Sequence, residues 1–423
     1  MILVEHRAFP LVNLNLYFRV GPALDPPGKS GLTTLTLRAL LRGTSTHGRA
    51  ELEEAFESLG TEVFTTPMSH TVSIGGAVLT RNLEPFVDLL AQVVTEPAFD
   101  AGEIEKVKRE MLAEIEARRN EDGRLVGQWF RRLVFEGHPM GNTAGGKTAD
   151  LEGITREDVV AHHKAFFSKA NLLVGASGDV AQSQLEALLD ARLGGLPTGE
   201  TANWSMAEVP ALTDRRAALI DKPGRSQAQI YMGHPAVSAS DPDYLALYLA
   251  NTAFGGTFTS RLMKEIRVER GWSYGAYARL GVEISGGYFG MTAAPKMEYA
   301  ERTMQLMIDE FTRFVDEGLD DEEIEFARGY LINAYPFSVE TPQQQMAQRV
   351  HARLLGRPDD YVDTYLKTLE TLTPDQVRDA VRRRLSPKHL VMVMVCTAPE
   401  IRDRVADLPG VDRVTLHPYN AEQ

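Results

Sequence analysis

The sequence contains one cysteine among its 423 residues, so an intramolecular disulfide is excluded. That residue, Cys396, lies in the apolar run LVMVMVCTA, where a buried and unreactive thiol is expected. Hydrophobic runs long enough to span a membrane are also missing, and the first twenty residues include the alternating stretch LVNLNLYFRV instead of a signal peptide's continuous apolar run. These absences predict a cytoplasmic protein without a membrane partner.

Positive charge is in short supply, since 45 lysines and arginines stand against 58 acidic residues and give a net charge of -13. The charges are spread along the chain, which leaves no basic surface for nucleic acid or for an anionic membrane. A P-loop, a dinucleotide-binding turn and a Ser-His-Asp elbow are also missing. What the chain does have is 43% hydrophobic residues over a length that exceeds one ordinary domain, so at least two cores are expected.

The sequence repeats once over about half its length. A strand, a polar break, an amphipathic helix, an acidic turn and a second helix are predicted at 69–115 and again at 285–331. A helix that feeds a strand is predicted at 151–179 and again at 369–397, and Thr155 and Thr373 are the expected N-caps. The period far exceeds that of a solenoid, so the pattern indicates a duplicated domain.

The helices are grouped between strands instead of alternating strictly with them. This grouping predicts an α+β fold with two homologous domains, each a mostly antiparallel sheet with helices packed on one face. Residues 194–215 are rich in Gly, Pro, Thr and Ala and lack a regular period, so they are interpreted as a linker. The predicted domains are therefore 1–193 and 216–423.

Two segments suggest a function. Residues 31–44, GLTTLTLRALLRGT, form a predicted apolar helix without an acid or a metal ligand. Residues 253–280, AFGGTFTSRLMKEIRVERGWSYGAYARL, predict a Gly-Gly turn and a charged helix that Gly271 ends before an aromatic strand. The second segment, together with the internal repeat and the N-terminal VGPALDPPGKSGL, closely resembles the inverzincin zinc peptidases, the pitrilysin and mitochondrial-processing-peptidase-like family. The resemblance spans essentially the whole chain.

In that family the first-half helix carries H-x-x-E-H, which binds zinc and activates water. The resemblance places Thr34 and Arg38 at the two His positions, Leu37 at the Glu position and Glu114 at the third zinc ligand. A guanidinium does not lose its proton and repels a dication, so the metal site is predicted to be vacated and the chain to hold no cofactor. For Glu114 two readings stay open: a remnant with a polar role, or a surface charge that faces water or pairs with Arg118.

The second half matches the family at Arg267 and Tyr274. The resemblance implies that this Arg holds carbonyls of the substrate backbone and that this Tyr donates to the oxygen that becomes negative as water attacks. A solvated charge and a half-buried strand aromatic are the alternative reading. Because the family's chamber needs four such domains, the resemblance predicts a noncatalytic subunit of a heterodimeric zinc metallopeptidase. Zinc is then expected in a homologous partner that carries H-x-x-E-H, with an unfolded peptide as substrate.

The alternative function is a structural or peptide-binding subunit of the core type, with no role in catalysis. Other metal sites are not predicted: His162 and His163 are adjacent and point about 100° apart on a helix, and the acidic run 318–325 is expected to open a helix instead of binding calcium. The methionine-rich stretch 297–311 is expected to pack a core stripe.

Overall fold

The computed structural model describes residues 1–203, 206 and 208–421, and these form two compact units. Unit 1 comprises Met1–Glu116, the described residues of Asn142–Trp204, and Pro336–Leu354. Unit 2 comprises Ala117–Gly141 and the described residues of Ser205–Tyr335 and Leu355–Gln423. Each unit thus combines most of one half of the chain with a helical segment of the other half. The predicted domains 1–193 and 216–423 do not include this exchange of helical segments.

Helices and strands follow one another twice in the same order. The strands are β1 (Ile2–Glu5), β2 (Leu11–Phe18), β3 (Val63–Pro67), β4 (Val72–Leu79), β5 (Leu172–Gly178), β6 (Arg216–Asp221), β7 (Gln229–Ala236), β8 (Ser273–Glu283), β9 (Gly286–Pro295), β10 (Val391–Cys396) and β11 (Arg413–Pro418). The helices are α1 (Leu32–Leu40), α2 (Arg49–Ser58), α3 (Leu83–Thr95), α4 (Ala101–Asn120), α5 (Asp122–Val134), α6 (Thr148–Glu152), α7 (Arg156–Phe166), α8 (Gln182–Arg192), α9 (Tyr244–Asn251), α10 (Arg261–Met263), α11 (Ala300–Asp316), α12 (Asp321–Ser338), α13 (Pro342–Leu354), α14 (Tyr361–Thr371), α15 (Pro374–Arg384) and α16 (Arg402–Ala406).

Each unit is built on one sheet. The sheet of unit 1 has the order β1-β5-β2-β4-β3, and the sheet of unit 2 has the order β11-β6-β10-β7-β9-β8. The pairs β1-β5, β6-β10 and β6-β11 are parallel, whereas the other pairs are antiparallel. The predicted α+β class with two homologous, mostly antiparallel domains is therefore confirmed. The additional strand β11 comes from the C-terminal stretch and lies parallel to β6.

Side chains alternate between the two faces of each sheet, as the strand period of two requires. In β2, Val12, Leu14, Leu16 and Phe18 are fully buried in the main core of unit 1, whereas Tyr17 points to the opposite face. In β10 every residue is buried, because its alternate residues enter two different cores. Burial on both faces explains the unbroken apolar run of this strand.

The exchanged helices cover the second face of each sheet. Helix α13 packs against β1 and β5, and helix α5 packs against β7 and β10. Glycines make this approach possible: a Cβ at Gly175 would lie 2.7 Å from Met346 Sδ, and a Cβ at Gly290 would lie 2.5 Å from a ring carbon of Tyr231. The ring of Tyr231 is itself stacked on Phe130 of α5 at 4.0 Å. The helices therefore lie on both faces, beyond the single helical layer that was predicted.

Several local predictions are confirmed. Thr155 and Thr373 are the N-caps of α7 and α15, and each accepts a hydrogen bond from the backbone N–H three residues later. The acidic run 318–325 opens α12. The methionine-rich stretch contributes a buried stripe to the core of unit 2, formed by Met304, Met307, Ile308 and Phe311.

The described part of the predicted linker has no helix or strand beyond the short turn Leu193–Gly195. Its first part is tied to unit 1, since Lys169 and Ala170 donate backbone hydrogen bonds to the carbonyls of Pro197 and Thr198. Val209 and Leu212 pack in a core of unit 2. Trp204, Ser205 and Ala207 lie outside the described residues.

Candidate functional site

Helix α1 is fixed at its N-terminus by a buried aspartate. Asp25 accepts hydrogen bonds from the backbone N–H of Gly31 at 2.8 Å and of Thr33 at 2.9 Å, and from the Thr33 hydroxyl at 2.6 Å. Gly31 has φ of 100°, a conformation that favours glycine and lets the chain turn into the helix. The predicted apolar helix within residues 31–44 is therefore present as α1, with its orphan N–H groups satisfied.

The three positions that correspond to H-x-x-E-H lie on α1. Thr34 and Leu37 are buried, and Thr34 Oγ1 has no hydrogen-bond partner among the described residues. Arg38 is about one-third exposed, and its guanidinium binds both carboxylate oxygens of Glu114 on α4, at 2.7 and 3.0 Å. Glu114, predicted at the third ligand position, is therefore paired with Arg38, predicted at the second histidine position. Just past the end of α1, Arg42 pairs with Glu110, one turn earlier on α4, at 2.5 Å.

These residues do not fit a zinc ion. A hydroxyl, an aliphatic side chain and a guanidinium offer no imidazole, and the one carboxylate present is already neutralised by Arg38. Among the described residues, no group of three or more His, Cys, Asp or Glu side chains is placed to hold a metal ion. Glu114 forms a cross-helix pair with Arg38.

Arg267 and Tyr274 lie in unit 2, on consecutive elements. Helix α10 continues as the π-helical turn Lys264–Val268, which carries Arg267, and Gly271 with φ of 63° ends it. Strand β8 then begins at Ser273 and lies at the edge of its sheet. A register shift between Ser273 and Ala276 places Tyr274 in an irregular start of the strand, where 83% of its surface is exposed.

The structure brings these two predicted residues together. The Arg267 guanidinium carbon lies 4.4 Å from the centre of the Tyr274 ring, a cation–π contact. Phe258 also contacts the guanidinium, and its ring centre is 4.5 Å from the same carbon. Phe258 was missed in the sequence, where the available signal was a large aromatic residue inside the small-residue turn GGTFTS.

The Gly-Gly pair before this turn differs from the prediction. Residues Thr252–Gly256 extend α9 as a π-helical turn instead of forming a free turn. A Cβ at Gly255 would lie 2.5 Å from the backbone nitrogen of Ala278 in β8, so the missing side chain allows helix and strand to touch. Asn251 adds a hydrogen bond from Nδ2 to the Ala278 carbonyl at 3.3 Å. The segment before Phe258 is therefore bound to the strand that carries Tyr274.

The remaining titratable candidates serve the core. His162 contacts the Thr33 hydroxyl through Nε2 at 3.0 Å, whereas His163 Nε2 contacts the Val94 carbonyl at 3.0 Å, so the two rings have separate partners. Cys396 is fully buried, and burial raises the pKa of its thiol to about 12. That thiol is protonated at neutral pH and is a poor nucleophile.

Comparison with known proteins places this geometry in a family. Residues 1–146 match the model of Insulinase (Peptidase family M16), and residues 153–331 match that of the Peptidase M16 inactive domain. Together these matches cover most of the chain. The chain belongs to the M16 peptidase family.

M16 relatives resemble the chain over nearly its whole length. The non-peptidase homologue YmxG of Helicobacter pylori is 22% identical over 396 residues, which cover 93% of this chain and 91% of the relative. An uncharacterized zinc protease of Streptomyces coelicolor is 23% identical over 371 residues, with 87% and 81% coverage. The crystal structure of a peptidase M16 inactive domain from Pseudomonas fluorescens superposes with a TM-score of 0.86 at 25% identity, over 93% and 94% of the two chains.

No helix of the described chain is both long and apolar enough to cross a bilayer.

Proposed function

We propose that this chain is the noncatalytic subunit of a heterodimeric zinc metallopeptidase. It binds an unfolded peptide and supplies Arg267 and Tyr274 to the zinc site of a partner that carries H-x-x-E-H. The observation that carries the proposal is the contrast between two sites: the predicted metal position of unit 1 is occupied by the Arg38–Glu114 pair, whereas in unit 2 the partly buried Arg267 contacts the ring of Tyr274, which is exposed.

The geometry of unit 2 supports a role in peptide binding. Strand β8 is an edge strand of 11 residues, and an edge strand offers backbone N–H and C=O groups to an extended peptide. Tyr274 lies at the start of that strand, so its hydroxyl is near the main chain of a peptide added there. A phenol that donates to the developing oxyanion and a guanidinium that donates to neighbouring carbonyls are the groups that peptide hydrolysis requires.

The names of two similar proteins add support. The Helicobacter pylori relative is described as a non-peptidase homologue, and the Pseudomonas fluorescens structure as an inactive domain. The competing function, a structural or peptide-binding core-type subunit, does not require an oxyanion donor. The contact of Arg267 with the exposed Tyr274 therefore favours a role in catalysis over scaffolding alone.

The test is reconstitution with the homologous H-x-x-E-H chain of the same organism. The purified chain is expected to cleave no peptide by itself and to restore hydrolysis when mixed with this partner. In the mixture, Arg267→Ala and Tyr274→Phe are each expected to lower kcat by about 10²- to 10³-fold, the usual effect of losing one oxyanion donor. Tyr277→Phe, on the same strand, is the matched control and is expected to leave the rate unchanged.

Two results would count against the proposal. The first is peptide cleavage by the isolated chain with one zinc ion per molecule. The second is a reconstituted complex in which Arg267→Ala and Tyr274→Phe both retain the full rate, which would favour the core-type alternative.

A further inference from the structure

Arg267 is held differently from the neighbouring arginines of its helix. Arg261 forms an ion pair with Glu323, and Arg270 forms an ion pair with Glu265 at 2.7 Å. Arg267 has no carboxylate partner among the described residues, and its contacts there are the rings of Phe258 and Tyr274. Its positive charge is therefore not neutralised by a carboxylate of the described residues and is available to a ligand.

Two aromatic rings contact the Arg267 guanidinium. The group is planar, and its five N–H donors lie in the plane, around the edge. The ring centres of Phe258 and Tyr274 lie 4.5 and 4.4 Å from the guanidinium carbon, so the two rings limit the directions in which the side chain can turn. A planar fork of N–H donors suits carbonyl and carboxylate oxygens.

Phe258 is presented by a rigid turn. Ser260 donates a hydrogen bond from Oγ to the Thr257 carbonyl at 2.6 Å, and both residues are buried, whereas 57% of Phe258 is exposed. An aromatic ring of that exposure contributes little to the core. The ring does contact Arg267, whose guanidinium carbon lies 4.5 Å from its centre.

We propose that Phe258 is a positioning residue that acts through Arg267. It fixes the plane of the guanidinium, so that the N–H edge is oriented before the peptide binds. This inference rests on the proposed function for its consequence in hydrolysis, while the stack itself is testable without any partner. Loss of the ring frees a long side chain to sample other rotamers, which lowers the population that is ready to bind.

The partner-free test is NMR of the full chain with labelled arginine. The Nε–Hε signal of Arg267 is assigned by its loss in Arg267→Lys. In the wild-type chain, ring currents from Phe258 and Tyr274 are expected to shift this proton upfield of the signals of solvated arginines. Phe258→Leu is expected to move it downfield, and Phe258→Tyr is expected to leave it in place. A signal that Phe258→Leu does not move would overturn the inference.

The functional test uses the reconstituted complex. Phe258→Ala is expected to lower kcat/KM about five- to tenfold, the loss expected when one cation–π contact of a guanidinium is removed, and Phe258→Tyr is expected to restore it. Phe326→Ala is the matched control, because Phe326 is also 57% exposed in unit 2 and has no ring contact with Arg267.

The outcomes separate the two proposals. If Arg267→Ala has no effect, or if the wild-type mixture is inactive, the proposed function fails and the NMR shift alone decides the role of Phe258. If Arg267→Ala lowers the rate of hydrolysis while Phe258→Ala has the wild-type rate, the positioning role is wrong and the proposed function stands. A defect in Phe258→Ala that Phe258→Tyr does not rescue would also contradict positioning by stacking.

Discussion

Helices α4 and α12 hold matching places in the two units, and they agree in the core but differ on the surface. Aligned on the shared triplet EIE at 103–105 and 323–325, Lys108 of α4 corresponds to Arg328 of α12. Both cations are buried, with 9% of each side chain exposed, and both pair with the glutamate three residues earlier. The duplicated halves have thus kept a buried positive charge at the same point.

The two cations perform the same task. Lys108 Nζ donates to the carbonyls of Glu152 at 3.2 Å and Ile154 at 3.0 Å, immediately before the N-cap of α7. Arg328 donates to the carbonyls of Leu369 and Leu372, immediately before the N-cap of α15. Each cation thereby satisfies carbonyls at the end of one helix and fixes the start of the next.

The exposed sides of the two helices differ. In the same alignment, Glu110 of α4 corresponds to Tyr330, and Glu114 to Ala334. The glutamates are paired with Arg38 of α1 and with Arg42 just after it, whereas Tyr330 is 49% exposed. The comparison teaches that the two halves share a buried packing contact on these helices and differ on the exposed side, where unit 1 has cross-helix ion pairs and unit 2 does not have glutamates at the same positions.

The largest effect is expected when the buried cations Lys108 and Arg328 are removed, which tests whether they have the same role in the two units. Lys108→Met and Arg328→Met leave buried carbonyls without donors, so each is expected to lower the free energy of unfolding by about 2 to 3 kcal/mol. Hydrogen exchange read by mass spectrometry is expected to rise in α6 and α7 for Lys108→Met. For Arg328→Met it is expected to rise in α14 and α15.

Lys106→Met is the matched control on α4. Lys106 pairs with Glu103 three residues away, and 52% of its side chain is exposed, so the change is expected to stay within about 0.5 kcal/mol. If Lys108→Met and Arg328→Met increased exchange in the same helices, the cations would not be equivalent devices of separate units.

Lowering the pH is expected to destabilise the two units to different extents, and this difference is smaller than the effect of removing a buried cation. Burial lowers the pKa of His162 in unit 1 and of His234 in unit 2 to about 4, from 6.5, and burial likewise lowers the pKa of His163 and His417, one in each unit. The unfolded chain then binds more protons than the native one, so this stability is present above pH 6.5 and lost as the pH falls toward 4.

Each unit has a carboxyl whose shift has the opposite sign, Asp25 in unit 1 and Glu310 in unit 2, and the shift of Asp25 is the large one. Burial raises the pKa of Asp25 from 3.8 to about 6, against the opposing effect of its hydrogen bonds from Thr33 and Gly31. The native state therefore binds the extra proton between pH 6 and 3.8, which stabilises unit 1 over the range where His162 destabilises it. Between pH 7 and 4.5, hydrogen exchange corrected for its intrinsic rate is expected to rise earlier in unit 2.

Two variants sharpen this pH prediction. His234→Gln is expected to flatten the pH dependence of unit 2, and Asp25→Asn is expected to steepen that of unit 1. His6→Gln, an exposed histidine of unit 1, is the control and is expected to change neither profile. A wild-type chain whose two units lost protection at the same pH would show that Asp25 does not offset His162.

The structural features that depend on residues close together in the chain could be predicted from the sequence. The N-caps at Thr155 and Thr373 and the buried methionine stripe follow from local periods and local hydrogen bonds, and they are found as predicted. The family resemblance supplied the pairing of Arg267 with Tyr274, which are seven residues apart. These contacts need no knowledge of how distant segments meet.

Three features depend on distant segments and were not predictable in the same way. The apolar face of α5 shows that the helix is buried, but not that it packs on the sheet of the other half. Arg38 and Glu114 are 76 residues apart, so their pairing follows from the packing of α1 on α4. Strand β11 pairs in parallel with β6, almost 200 residues earlier in the chain, and parallel pairing has no local turn that would reveal it.

The smallest effect is expected at the Arg38–Glu114 pair. The Arg38 and Glu114 side chains are 32% and 47% exposed, and surface ion pairs of this kind contribute up to about 1 kcal/mol. Arg38→Met is therefore expected to cost less than about 1 kcal/mol in urea unfolding. The double variant Arg38→Glu with Glu114→Arg is expected to recover most of the loss, because the opposite charges still face each other. A loss above about 2 kcal/mol that the double variant did not recover would mean that Arg38 holds α1 in place, so that the pair has a structural role in unit 1 that unit 2, with Ala334 at the position of Glu114, does without.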